Sequence, residues 1–98
     1  MLNVDKNHLQ IIRNILNKHI PENEIWAFGS RVTGTAKKYS DLDLAIISNT
    51  PTPTLTIALL KEEFSKSDLP YKIDLVDWAT IEDSFKEIIR KKHQTINT

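Results

Sequence analysis

Residues 28–44 read FGSRVTGTAKKYSDLDL. Asp41 and Asp43 stand two apart at the head of Leu44-Ala45-Ile46-Ile47, an apolar run that predicts a buried strand. Strand side chains at i and i+2 share a face, which sets these two carboxylates roughly 6 to 7 Å apart at their Cα atoms. Like charges gathered this way are costly without cations to neutralise them. A pair of divalent cations is the ligand that the spacing suggests.

Upstream, Glu24-Ile25-Trp26-Ala27-Phe28 reads as a short strand ending at Gly29. Gly29 and Gly34 are the only glycines in the chain, and both fall inside the stretch quoted above, where a backbone must turn sharply or approach a ligand closely. A short helix after Gly29 would let Ser30 Oγ and nearby N–H groups hold a phosphate at a helix N-terminus. Taken alone, the Gly-Ser pair also fits an ordinary N-cap, and Asp-x-Asp also fits a solvated turn. The two glycines have G-x-x-x-x-G spacing, but Thr35 and Ala36 stand where a phosphate loop needs its lysine and hydroxyl. Asp41 and Asp43 are then the natural oxygen ligands for Mg²⁺, which shares its shell with substrate phosphates.

A third carboxylate is available downstream. In Tyr71-Lys72-Ile73-Asp74-Leu75-Val76-Asp77-Trp78, Asp74 interrupts an apolar strand, whereas Asp77 lies at its end and can begin the turn toward Thr80. An exposed strand face would also accommodate Asp74.

The remaining pattern is α-β-α-β-α-β-α. An amphipathic helix spans Asp5 to His19 around Leu9, Ile12 and Leu16, and Pro21 ends it. Strands are expected at Glu24 to Phe28, Asp41 to Ile47 and Tyr71 to Val76. Ile57, Leu60 and Phe64 mark a helix after the proline-bearing loop 48–53, with Leu69-Pro70 at its exit. Thr80 and Asp83 resemble a capping box for a last helix with Ile81, Phe85, Ile88 and Ile89 inside, and Arg90, Lys91, Lys92 and His93 at its negative end. The expected fold class is α/β (α+β), a small mixed three-stranded sheet flanked by helices, with residues 1–98 as one domain.

The 98 residues carry 13 Lys plus Arg and 13 Asp plus Glu, a net charge of zero, which argues against nucleic acid as a direct partner. A chain this small does not enclose a substrate from every side, so a second subunit, in a homo- or hetero-oligomer, could complete the site. Cysteine is absent, which excludes disulfides and thiolate metal sites. With no stretch near the roughly 20 apolar residues that span a bilayer, and no basic-then-apolar N-terminal segment, the expectation is a cytoplasmic protein without a membrane partner.

Phe28-Gly29-Ser30, ten intervening residues, Asp41-Leu42-Asp43-Leu44 and then Asp74 together resemble the polymerase-β-type nucleotidyltransferase superfamily. Ser30 to Ala36 followed by Ser40-Asp41 strengthens the match, which is to the minimal branch of MNT, or MntA-like, antitoxins. The resemblance spans Ile25 to Asp77. It implies a minimal polymerase-β-like fold in which Asp41 and Asp43 bind two Mg²⁺ ions that bridge a nucleoside triphosphate. Asp74 would contact one metal and help deprotonate the acceptor hydroxyl, and Gly29 and Ser30 would hold the β/γ-phosphates. Arg31 could add a charged donor to the triphosphate, or be an exposed arginine at a helix start.

The resemblance further implies transfer of AMP from ATP to a tyrosine of a HEPN-type helical ribonuclease toxin encoded nearby. A protein acceptor would form the missing wall of an open cleft. Two other functions remain: a non-catalytic antitoxin that neutralises its partner by binding, and an adenylyltransferase for a small hydroxylated molecule such as an aminoglycoside. Antibiotic nucleotidyltransferases usually add a helical domain, for which the 21 residues after Asp77 are expected to be too few. His8, His19 and His93 are expected at the surface without chemistry, and Trp26 and Trp78 in packing, one of them open to stacking on a base or partner. Lys37 and Lys38 are solvated charges or meet an acidic ligand. The apolar faces of the first and last helices pack internally or serve a partner.

Overall fold

The apolar run that follows the two aspartates forms the middle of the sheet. In the computed structural model, which describes residues 2–96, strand β2 (Leu42–Ile47) lies between β1 (Glu24–Phe28), antiparallel to it, and β3 (Ile73–Asp77), parallel to it. Residues 1, 97 and 98 of the expected domain lie outside the described residues. Leu42, Leu44, Ala45 and Ile46 have no exposed surface, because helices cover both faces of the strand, and Asp43 near its start is the one polar residue in it.

Helices α1 (Lys6–His19) and α3 (Thr54–Lys66) cover one face, where Ile12, Leu16, Leu60 and Phe64 meet Ile25, Leu42, Leu44 and Ile46. Asp5 caps α1 by accepting from Asn7 N–H at 2.7 Å, so the helix begins one residue later than its pattern suggested. Helix α3 is also the crossover that a parallel β2–β3 pair requires. The other face is covered by α4 (Asp83–Lys91), with Ile89 and Trp78 packed on Phe28 and Ala45. Of the apolar helical residues left over, Leu55, Leu59 and Ile88 are exposed.

The mixed α/β class stands as expected, with four strands in place of three. Strand β4 (Gln94–Thr95) pairs antiparallel with β1, giving the order β3-β2-β1-β4. Two polar residues carry no periodicity, and this strand exists because Ile96 beyond it is buried and donates its N–H to Ile25 O at 3.1 Å. β3 starts two residues later than expected and takes in Asp77. The Thr80–Asp83 capping box does not form: Thr80 lies in a 3₁₀ turn, Trp78–Thr80, where its hydroxyl donates to Asp77 O at 2.9 Å, and Glu82 precedes α4 without a side-chain cap.

The histidines are half-buried, not simply solvated. His19 bonds Glu63 at 2.9 Å, His93 stacks on Trp26 with centroids 3.8 Å apart, and His8 meets Tyr71 edge-on. Among the described residues no helix is long and apolar enough to cross a membrane.

Candidate active site

Alternation along the chain continues from Asp41 through Asp43 to Ala45, and Ala45 packs on the α4 side of the sheet. In register, Asp43 lies opposite Phe28 of β1 on one side and Asp74 of β3 on the other. Leu42 N–H donates to Lys72 O at 2.9 Å, tying the two strand entrances together. Asp74 therefore reaches the same face as Asp43, near enough for its charge to act on the Asp43 carboxyl. Burial, then the negative charges of Asp74 and Asp41, push the Asp43 carboxyl up to about 6.

Asp41 and Asp74 are exposed while Asp43 is half-buried, so the acids open to solvent with Asp43 at their base. Phe85 of α4 packs edge-on against Phe28, the neighbour of Asp43 on β1, with centroids 5.8 Å apart. Among the described residues no three acidic or imidazole groups are gathered into a ready-made metal cage. Asp43 and Asp74 face each other across the ladder and Asp41 lies just ahead of the strand, an arrangement whose coordination shell substrate oxygens and water would complete. The donor set fits a hard divalent cation: it is all oxygen, and a cation would relieve the repulsion that raises the Asp43 carboxyl.

Gly29 has φ of 80°, and a Cβ there would run into Asp43 Oδ2. The space a side chain would fill is taken by the acid itself, a requirement that sequence reasoning did not find. Gly34 differs: it is the left-handed cap of α2 (Ser30–Thr33), with φ of 89° and open space around it. Ser30 opens α2, half-buried, and its carbonyl accepts from the N–H groups of Gly34 and Thr35. The first amides of α2 have no partner within the helix and are directed to its start.

Arg31 departs from expectation. It is neither exposed nor displayed to a ligand, but 5% exposed, with its guanidinium donating to Ser40 O at 2.9 Å, Lys38 O at 3.0 Å and Asn3 O at 3.0 Å and stacked 3.9 Å from the ring centre of Tyr71. Tyr71, unremarked in the sequence, is its platform. Asp77 stands apart from the acid group, accepting from Thr52 N–H at 2.9 Å and Thr52 Oγ1 at 3.2 Å, which fastens the proline loop. Trp26 and Trp78 pack edge to face, with centroids 5.3 Å apart.

The nucleotidyltransferase domain family matches residues 9–96. A protein of Haemophilus influenzae described as a probable protein adenylyltransferase MntA is 54% identical over 95 residues, 97% of this chain and 83% of the relative. The fold is shared with a toxin–antitoxin structure containing AMP-PNP, at a TM-score of 0.75 and 24% identity, covering 90% of this chain and 71% of the other. It is shared too with a structure of tri-AMPylated Shewanella oneidensis HEPN toxin in complex with MNT antitoxin, at a TM-score of 0.63 and 22% identity, covering 90% and 71%. The resemblance read from Gly29-Ser30 and Asp41-x-Asp43 is borne out, and the chain belongs to the nucleotidyltransferase domain family.

Proposed function

We propose that the chain transfers AMP from ATP to a tyrosine hydroxyl of a helical HEPN-type toxin, acting in the cytoplasm as one nucleotidyltransferase domain and as the antitoxin of that partner. The observation that carries this reading is the register of Asp43 with Asp74, with Asp43 packed against Gly29, in a chain 54% identical to a probable protein adenylyltransferase. The nucleotide and the acceptor class are supported by the AMP-PNP and AMPylated-toxin assemblies that share the fold.

Asp41, Asp43 and Asp74 are the residues that would hold Mg²⁺. Two bound ions would supply electrostatic stabilisation to the attacking and leaving oxygens of an in-line displacement. The amides at the start of α2, with Ser30 Oγ, orient the β/γ-phosphates, and Gly29 keeps that approach free of a side chain. Asp74, exposed at the edge of the group, accepts the proton of the acceptor phenol. The phenol oxygen bonds to the α-phosphorus, the α–β phosphoanhydride bond breaks, and pyrophosphate leaves.

The test is transfer of label from α-³²P-ATP with Mg²⁺ to the helical protein encoded beside this chain, comparing the native chain with Asp41→Ala/Asp43→Ala. Label on the partner that the variant loses is the expected result. A stable complex without label would replace the enzyme reading with neutralisation by binding, and neither label nor complex would point to a small-molecule acceptor.

A further inference from the structure

We propose that Arg31 is a positioning residue, a buried clamp behind the site that sets Asp41 and Asp74 at the spacing at which they hold a metal-nucleotide. The proposal deepens the nucleotidyl-transfer reading and rests on it. Arg31 is the one charged residue buried among the described residues. A buried guanidinium is costly unless its hydrogens find acceptors, and Arg31 donates to three main-chain carbonyls, of Asn3, Lys38 and Ser40. What it holds is therefore the course of the chain.

Lys38 and Ser40 belong to the turn that delivers Asp41. That turn is closed by Ser40 N–H to Lys37 O at 3.1 Å and by Lys37 N–H to Ser40 Oγ at 2.9 Å. Tyr71, under the guanidinium, stands three residues before Asp74 and adjoins Lys72, whose carbonyl receives Leu42 N–H. Arg31 itself follows Ser30 in α2. One side chain thus joins the run into Asp41, the run into Asp74 and the helix that begins beside Gly29. Asp43 is paired on both sides within β2, but Asp41 lies ahead of the strand, so the turn behind it decides where its carboxylate stands. A planar fork can make these contacts together, and a lysine cannot.

The experiment titrates the full chain with Mn²⁺ and AMP-PNP, reads bound Mn²⁺ by electron paramagnetic resonance, and records thermal melting beside it. Arg31→Met and Tyr71→Leu should each weaken binding on the order of tenfold, the low end of what losing the support of metal ligands costs. Arg31→Lys should recover part of the loss, and Tyr71→Phe, which keeps the ring, should fall less than Tyr71→Leu. Ile12→Val, a core change away from the clamp, should lower the melting temperature and keep native affinity. Native affinity in folded Arg31→Met, or an equal loss in Ile12→Val, would overturn the proposal. If Arg31→Met does not fold, the two Tyr71 variants decide by the same comparison. A native chain that binds no Mn²⁺ with AMP-PNP would count against the nucleotidyl-transfer reading. The clamp is then judged by hydrogen exchange at residues 40–43, where faster exchange in Tyr71→Leu than in Ile12→Val supports it and equal exchange overturns it.

Discussion

Asp43 and Asp74 lie directly opposite one another in the parallel ladder between β2 and β3, and the charge of Asp74 helps to raise the Asp43 carboxyl. Neighbouring strands run about 4.8 Å apart, so side chains in register on one face cannot avoid each other. Two acids placed there repel each other until a proton or a cation relieves them.

Protonation comes first. Asp43 is raised from its ordinary 3.8 to about 6, so between those values the folded chain keeps a proton that the unfolded chain has lost. Stability should fall as pH rises from about 4 to about 6 and level off above that. The group is partly solvated, which limits the effect to about 1 kcal/mol. Metal-free melting curves of the native chain against Asp43→Asn would show the slope in the difference between them, and a difference running the other way would contradict it.

Cation binding should reverse the penalty. Near neutral pH, Mg²⁺ should raise the melting temperature of the native chain, each tenfold excess over its dissociation constant adding about 1.4 kcal/mol. Asp41→Asn/Asp43→Asn should not respond. Differential scanning calorimetry over a Mg²⁺ series measures this directly.

The two glycines should separate. Gly29→Ala places a methyl group against Asp43 Oδ2 at a φ of 80°, and should cost about 2 kcal/mol or more together with the transfer activity. Gly34→Ala meets only the backbone penalty and should cost about 1 kcal/mol with activity kept. Urea denaturation with a parallel labelling assay distinguishes them.

Asp74 and Asp77 should divide the same way between chemistry and stability. Asp74→Asn removes a charge from the acid group without breaking a packed contact, and should leave the fold at least as stable while lowering transfer by about 100-fold or more. Asp77→Ala strands the N–H and hydroxyl of Thr52 and should cost about 1 to 3 kcal/mol, with transfer by the folded fraction unchanged. Equal activity losses in both variants would count against the division of roles.

The features legible in the residues alone are local ones. The spacing of Asp41 and Asp43 sets them on one face because strand geometry has a period of two, and the unbroken run Leu44 to Ile47 announces burial on both sides. Gly29-Ser30 marked the turn into a helix for the same reason, since backbone sterics act within a few residues. Long-range packing set the rest. Register brought Asp74 to Asp43 across 31 positions of chain, and no periodicity encodes register. The same packing turned Arg31 inward onto the ring of Tyr71 and the carbonyl of Asn3, both remote from it in sequence. β4, two polar residues long, forms because its neighbour Ile96 is buried and bonded to β1, and Gly29 is needed because a carboxylate from the next strand fills the space beside it.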